Sequence, residues 1–189
     1  MPTNSTWADK KILFVLVAAM AMAVVAAACG SDSGASGESA IAKIVASERI
    51  YTVDDFEVLR PSGVKTVKDY NTEDLPAALD AVQAVFNQLA YEIRFYPSHA
   101  DAIAEGTKYA DSITGEDAVV TGDEVLWEEG ERDRRKCSRA AQTPHSSCSY
   151  SARYLEYVIR GNMILFCEGD ESPDAYANCE NLFTLLEPA

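Results

Sequence analysis

Four cysteines in the second half of the chain have the spacing that most directly suggests chemistry: Cys137, Cys148, Cys167 and Cys179. An even number of cysteines in an oxidising compartment favours disulfides, and four cysteines allow three pairings. We expect local pairing, in which Cys137 bonds to Cys148 and the last two cysteines bond to each other. The predicted final helix turns back along the strand that ends at Cys167, which brings Cys179 beside it. The other bridge would close a loop of small and polar residues, 138–147, that cannot stabilise itself by burial.

A metal site is the chemical alternative for the first cysteine pair. Cys137, His145 and Cys148 include a His-x-x-Cys step, and two thiolates with one imidazole suit zinc or copper. The sequence contains no Cys-x-x-Cys pair, which disfavours a thioredoxin-like redox function. The step from Cys137 to His145 matches no common zinc module, and a disulfide would remove both thiolates. The sequence therefore favours disulfides and assigns no metal ligand and no cofactor.

His99 and the acidic segments are the remaining candidates for catalysis or cation binding. His99 lies beside Asp101 in the first turn of a predicted helix, where an imidazole could bind an anion or act as a base. The acidic clusters are Glu116-Asp117, Asp123 to Asp133 and Gly169-Asp170-Glu171. They lack the alternating oxygen spacing of an EF-hand loop. No serine lies in a nucleophile elbow, and no glycine-rich loop follows a strand to bind phosphate.

Aromatic and basic residues also cluster, and both groups are more typical of structure than of a site. Six aromatic side chains could line a sugar or peptide surface, but their strand-like spacing is more typical of a core. They are Tyr91, Tyr96, Trp127, Tyr150, Tyr154 and Tyr157. The basic cluster consists of Arg132, Arg134, Arg135 and Lys136. We expect its members to pair with neighbouring acidic residues rather than to hold a ligand.

Helices and strands that would position these residues can be predicted from periodicity and capping signals. A short helix begins at Thr52 and ends by Arg60, the turn Pro61-Ser62-Gly63 follows it, and Val64 to Tyr70 forms an edge strand. A helix begins at Thr72, with Leu75, Leu79, Val82, Phe86 and Leu89 on one stripe. Tyr91 to Tyr96 forms a half-buried strand, in which Glu92 and Arg94 alternate with apolar residues. Ser98 and Asp101 start a helix that reaches about Gly115, and Thr121 and Glu124 start a shorter one through Trp127.

The late part of the chain gives the clearest prediction, a hairpin around Gly161-Asn162. Its strands are Tyr154 to Arg160 and Met163 to Cys167, and the glycine supplies positive φ. One face carries Ile159, Ile164, Tyr157 and Phe166, and the other carries Val158, Leu165, Glu156 and Cys167. The first face needs a cover from the helix near Thr72 or from a partner, which would make that face a binding site. Ser172-Pro173-Asp174 starts the final helix, whose apolar stripe is Ala175, Cys179, Leu182 and Leu186.

This order of elements predicts a single small α+β domain with a mainly antiparallel sheet and packed helices. It resembles a ferredoxin-like split β-α-β arrangement whose last strand is missing. The predicted edge strand could occupy that position.

The N-terminus has the order of an export signal: Lys10-Lys11, an uncharged run from Ile12 to Ala28, and small residues before Cys29. Ala26-Ala27-Ala28-Cys29 resembles the lipobox of bacterial membrane lipoproteins. That resemblance, which covers Lys10 to Gly30, implies cleavage before Cys29 and acylation of its thiol by chains such as palmitate. The alternative is an uncleaved anchor, since the apolar run is near the lower limit of about 17 residues for spanning a membrane.

The predicted organisation is a signal peptide over residues 1–28, a lipidated cysteine with a flexible Gly/Ser linker over 29–40, and one domain over 41–189. Removing residues 1–28 changes the 16 basic and 30 acidic side chains to 14 and 29, so the net charge becomes −15. Such a charge repels nucleic acid and anionic lipid head groups. Beyond residue 30 we recognise no characterised family.

These observations predict an extracytoplasmic lipoprotein, anchored to the cell membrane or outer membrane through the lipid on Cys29. Its domain would act as a noncatalytic binding or assembly module, with an envelope protein or a small ligand as partner and no nucleic acid. The alternative is an envelope enzyme or metal-handling protein that uses His99, His145 and the acidic clusters.

Overall fold

A six-stranded sheet forms the centre of the fold in the computed structural model, which describes residues 42–137 and 148–188. The strands are β1 (Ile44–Val45), β2 (Lys65–Asp69), β3 (Asp80–Phe86), β4 (Leu89–Phe95), β5 (Arg135–Cys137), β6 (Cys148–Ala152), β7 (Tyr154–Arg160) and β8 (Met163–Glu168). The large sheet has the order β1-β7-β8-β4-β3-β2, and β5 and β6 form a separate two-stranded sheet. In the large sheet β1 pairs with β7 in parallel and the other pairs are antiparallel. The predicted α+β class with a mainly antiparallel sheet is therefore confirmed.

Helical segments cover both faces of this sheet. They are α1 (Val53–Glu57), α2 (His99–Asp101), a π-helical turn (Ala102–Gly106), α3 (Thr107–Asp111) and α4 (Ser172–Leu186). Two 3₁₀ turns lie at Arg60–Ser62 and Glu131–Arg134. None of the helices in the described ranges is long and apolar enough to cross a membrane.

Helix α4 packs on one face of the sheet through the apolar stripe that its sequence predicts. Cys179, Leu182 and Leu186 are buried in one cluster with Val158 and Leu165 of the hairpin. The predicted disulfide between Cys167 and Cys179 is present and joins α4 to β8. Phe56 of α1 is buried in the same cluster, so both helices contribute to the core on this face.

The opposite face is covered by the segment from α2 through α3 and by the chain that follows it. Ala102 and Ala110 of this segment are buried with Ile159 and Ile164 of the hairpin. The prediction that a helix near Thr72 or a partner would cover this face is wrong, because residues 99–111 already do so. The face consequently offers no open binding surface.

The hairpin has the predicted register. Tyr157 pairs with Phe166, Val158 with Leu165 and Ile159 with Ile164. Gly161 has φ 55°, as a tight turn requires of its first central residue. The buried Asn162 amide then bonds to the backbone of Tyr51 and Tyr96, which fixes the turn against two other segments.

The predicted helix from Thr72 is wrong, since residues 80–86 form strand β3. Val82, Ala84 and Phe86 alternate toward one face of the sheet. The burial that this alternation gives in a strand decides the structure of the segment, although Leu75, Leu79, Val82 and Phe86 also have helical spacing. Asn87 and Gln88 have φ 50° and 67°, and Phe86 pairs with Leu89 across them. This two-residue turn has both central residues at positive φ.

Two further expectations differ from the structure. The segment Thr121–Trp127 forms turns and bends instead of a short helix. The ferredoxin-like arrangement is not confirmed: β8 does lie between β4 and β7, but the helical segment 99–111 and α4 pack on opposite faces.

The predicted edge strand is confirmed as β2, and the capping box of Thr52 with Asp55 starts α1.

Candidate functional site

A buried group of three charged side chains lies on the sheet face under the 112–134 segment. Glu92 and Arg94 of β4 are both completely buried, and Arg134 is almost so. Glu92 Oε1 accepts hydrogen bonds from Arg94 Nε at 2.8 Å and lies 2.6 Å from Arg94 Nη2. Glu92 Oε2 accepts one from Arg134 Nε at 2.8 Å. One carboxylate thus binds two guanidinium groups, and the group carries a net charge of +1.

Trp127 connects this charged triad to the covering segment. Its ring lies 4.2 Å from Arg134 Cζ and 4.8 Å from Arg94 Cζ. Its backbone carbonyl accepts a hydrogen bond from Arg134 Nη1 at 2.9 Å. The Arg94 guanidinium also lies over Phe166 of β8, at 4.5 Å. Cation–π contacts of this kind are strongest where water is excluded.

The electrostatics of the triad keep Glu92 ionised. Burial alone would raise the pKa of this carboxyl, but Arg134 and Arg94 lower it below its usual range. Burial lowers the pKa of Arg94, and Glu92 opposes that shift. A carboxylate whose pKa is lowered by two bonded guanidinium groups is a weak proton acceptor near neutral pH. The triad therefore acts as a polar anchor between β4 and the covering segment.

The strand prediction for Glu92 and Arg94 was wrong in one respect, because these residues do not face solvent. Arg134 was expected to pair with a neighbouring acidic residue, yet its partner Glu92 is 42 residues away. Arg135 does pair locally, with Glu131. Nothing in the local sequence indicates the long-range pair, since alternating polar residues are typical of a half-exposed strand.

His99 has a structural partner. Its Nδ1 lies 2.7 Å from the carbonyl oxygen of Gly161 in the hairpin turn, and its side chain is half-buried. Ser98 Oγ accepts a hydrogen bond from the backbone N–H of Asp101, as the predicted capping pair requires. His99 therefore connects the start of α2 to the hairpin.

Acidic residues of the predicted clusters lie in separate ion pairs. Asp133 binds Lys68 at 2.8 Å and Asp170 binds Lys136 at 3.1 Å. Among the described residues no group of three or more His, Cys, Asp or Glu side chains is arranged to hold a metal ion. A shallow groove of about 280 Å³ between the end of β8 and the start of α4 contains Glu168, Asp170 and Asp174.

Five of the six aromatic candidates belong to the core. Tyr91, Tyr96, Trp127, Tyr154 and Tyr157 are all buried. Burial raises the pKa of Tyr91 to about 12, so its hydroxyl stays protonated at physiological pH. These residues do not form a sugar or peptide surface, and the side chain of Tyr150 lies outside the described part.

Several predicted residues fall outside what the structure describes. Cys29 and His145 lie in the undescribed segments 1–41 and 138–147. The backbones of Cys137 and Cys148 face each other in the β5–β6 pair, but their side chains are not described. The disulfide between them, and the metal alternative, remain predictions.

Comparison with known families gives one match, over residues 52–188. The matching family is described as a family of unknown function (DUF6810). The chain belongs to this family. Neither the curated proteins nor the solved structures contain a match to this chain. The matched range begins at the N-cap of α1 and ends after α4, so it covers the disulfide, the triad and the hairpin.

Proposed function

We propose that this DUF6810 protein is an extracytoplasmic lipoprotein whose domain is a noncatalytic binding or assembly module. The observation that carries the proposal is the order of residues before the domain: Lys10-Lys11, the apolar run to Ala28, and Ala26-Ala27-Ala28 before Cys29. This order matches that of an export signal, and its last four residues resemble the lipobox at which bacterial lipoproteins are acylated. The lipid on Cys29 would hold the domain at the cell membrane or the outer membrane.

The disulfide supports an oxidising location. Cys167 and Cys179 are fully buried and joined, and structural disulfides persist mainly in secreted and periplasmic proteins. The export signal and the disulfide are independent features of the chain, since they lie at opposite ends. Both favour a domain that folds outside the cytoplasm.

The segment between Cys29 and the domain, here called the tether, limits how far from the membrane a partner can lie. The chain from Cys29 to Ile44 at the start of β1 can span at most about 50 Å when extended. A net charge of −15 after cleavage disfavours nucleic acid and anionic lipid head groups as partners. We therefore expect an envelope protein or a small ligand within reach of the membrane.

A noncatalytic role is supported by the way the fold uses its reactive side chains. His99 bonds to a backbone carbonyl, and Glu92 is shared by two arginines. Both side chains thus have contacts within the fold that stabilise the domain. A binding role then depends on the surface of the domain.

Site-specific photo-cross-linking in native membranes tests the proposal. Exposed apolar positions Val58, Val67 and Leu79, which are 73%, 53% and 60% exposed, would each carry the photoreactive group. We expect adducts with one partner protein from at least one of these positions, and loss of those adducts in Cys29→Ser. Absence of adducts at all three positions in the lipidated protein would contradict a protein-binding module that uses these side chains.

The Cys29→Ser variant also distinguishes attachment through a lipid on Cys29 from attachment through an uncleaved transmembrane anchor. We expect it to be released from the membrane or to remain unprocessed. A full-length Cys29→Ser product that stays in the membrane, in the same amount as the parent, would instead support an uncleaved transmembrane anchor.

A further inference from the structure

The first segment of the domain, residues 42–48, is attached to the rest of the fold by few contacts. None of these seven residues is buried, and exposed and half-buried positions alternate along them. The strand in this segment, β1, has two residues, which pair in parallel with the last two residues of β7. The Ile159 N–H of β7 donates a hydrogen bond to the Lys43 carbonyl at 2.9 Å. Residues 42–48 are called the strap below.

The side chains of the strap hold it only weakly. Lys43 Nζ lies 3.4 Å from Asp111 Oδ1, but the two side chains are 40% and 57% exposed, and ion pairs this exposed stabilise little. Val45 packs against the core cluster on the α4 face and is only partly buried. Segments with few buried apolar contacts open locally at a low free energy, without unfolding of the whole domain.

The chain directly after the strap is held much more firmly. Tyr51 is buried, its N–H donates to Asn162 Oδ1 at 2.6 Å, and its carbonyl accepts from Asn162 Nδ2 at 3.0 Å. The Arg49 guanidinium donates to the Leu186 carbonyl at 2.8 Å and to Asp55 Oδ1 at 3.2 Å. These contacts join the chain to the hairpin turn, to the end of α4 and to α1. Opening that begins in the strap therefore stops at Arg49.

We propose that the strap detaches from β7 while the rest of the domain stays folded, so that the point at which the chain is held changes from Ile44 to Arg49. Release adds five residues, or about 17 Å of extended chain, to the tether. The domain then reaches a partner that lies farther from the membrane. The gain in reach rests on the proposed attachment at Cys29, whereas the release itself does not.

Residue-resolved amide hydrogen exchange of the full chain in detergent tests the release. The Ile159 N–H reports on the strap, because it bonds to Lys43, and the Tyr51 N–H reports on the chain beyond the strap. Ile159 should have a protection factor at least tenfold below that of Tyr51. Low urea should leave the exchange of Ile159 nearly unchanged, since opening the strap exposes little surface, and should accelerate that of Tyr51. Equal protection and equal urea dependence at the two amides would overturn the proposal.

Trypsin gives an independent readout, because the chain from Cys29 to Ala42 contains no lysine or arginine and Lys43 is its first cleavage site. Cleavage after Lys43 needs an extended chain on both sides of the bond, which requires the strap to leave β7. We expect early cleavage there under native conditions, giving a folded chain that begins at Ile44 and keeps the circular dichroism of the parent.

Lys65 is the control site for trypsin within the same chain. It also lies in an edge strand and is exposed, but its strand β2 is longer and pairs with β3 from Lys65 to Asp69. Cleavage after Lys43 should precede cleavage after Lys65. Cleavage at both sites at the same rate would show that Lys43 becomes accessible only on unfolding, and would overturn the proposal.

The same exchange measurement on Cys29→Ser distinguishes the release from the proposed membrane attachment. The strap contacts described above lie within the domain, so this variant should keep the protection factors of the parent at Ile159 and Tyr51. Its membrane attachment is measured separately, and loss or retention of that attachment leaves the expected exchange unchanged. Protection of Ile159 that rises to that of Tyr51 in the variant would overturn the proposal.

Discussion

Gly161 lies at a position of the hairpin turn where a side chain would meet both backbone strain and steric overlap. Its φ is 55°, and a Cβ there would lie 2.2 Å from the carbonyl oxygen of Arg49 and 3.0 Å from Cε2 of Tyr51. Gly63 also has positive φ, at 94°, but nothing lies within 4 Å of its Cβ position. Substitutions at these two glycines therefore distinguish the effect of backbone strain, which both share, from that of steric overlap, which only Gly161 has.

We expect Gly161→Val to lower the free energy of unfolding by more than about 1 kcal/mol, since a β-branched residue is a steric outlier at positive φ. Gly63→Val should cost less, because it lacks the overlap with the Arg49 carbonyl. Urea unfolding followed by circular dichroism measures both. A midpoint for Gly161→Val equal to that of the parent would show that the turn geometry is wrong.

Glu92 should give the stability of the domain an acid-sensitive component. Its folded pKa is lowered by Arg134 and Arg94 against the effect of burial, so its contribution is complete above the unfolded value of about 4.3 and is lost as the pH falls through the lowered folded value. Glu92→Gln leaves two buried guanidinium groups without a counter-charge. We expect it to cost about 3 kcal/mol or more at pH 7.

The matched control is Glu124→Gln, whose side chain is exposed. It should remain close to the parent in stability at pH 7. Unfolding curves measured between pH 7 and 3 should converge for Glu92→Gln and the parent as the pH falls. A constant stability difference across that range would contradict the ionised, buried Glu92.

At the scale of single elements, α4 and its disulfide determine how the C-terminal end of the domain is held. The bridge joins Cys167 at the end of β8 to Cys179 in the middle of α4. Arg160 reinforces the packing from β7, with ion pairs to Glu180 and Glu187. The helix is thus attached both covalently and through charge.

The double variant Cys167→Ala, Cys179→Ala should lose about 2–4 kcal/mol of stability, because the bridge restricts the unfolded chain. Chemical unfolding under non-reducing conditions measures the loss. Unfolding the parent in the presence of reductant removes this bridge together with the predicted bridge between Cys137 and Cys148, so it should lower the stability by at least as much. An unchanged stability would mean that the packing of α4 alone holds this end of the domain.

A thiol assay on the denatured protein tests the second predicted bridge. We expect no free thiols among the four domain cysteines and no stoichiometric metal. Recovery of zinc or copper together with free Cys137 and Cys148 would contradict the bridge and favour the metal-handling alternative.

The elements differ in how far their sequence determines them. The hairpin around Gly161-Asn162 was predictable, because its turn signal and its alternation agree. The segment from Thr72 was not, since Leu75, Leu79 and Val82 match a helical period by chance and the turn at Asn87-Gln88 has no glycine. Segment 80–86 becomes strand β3 because it pairs with β4, and the spacing of its own residues does not predict that pairing.

The candidate site was less predictable than the fold. Glu92 and Arg94 were identified as strand residues, but their burial depends on Arg134 and Trp127 from a segment with little regular structure. A buried ion pair is a tertiary contact and leaves no periodic signal in the sequence. His99 was located correctly at its helix start, yet its contact with the Gly161 carbonyl could not be inferred from spacing.

At the scale of the whole molecule, the proposed lipoprotein is an acidic domain that a short tether would hold near a membrane. The domain uses its charged and aromatic side chains for its own stability, as the triad and the buried tyrosines show. We propose that attachment of this domain to a membrane depends on one residue, Cys29, and on cleavage before it.

Mass spectrometry of the N-terminal peptide from membrane-extracted protein tests this claim most directly. We predict that the mature chain begins at Cys29 and that this residue carries acyl chains on its sulfur. Residues 1–28 should be absent from the extracted protein. An intact N-terminus with an unmodified Cys29 in the membrane fraction would contradict the lipoprotein assignment.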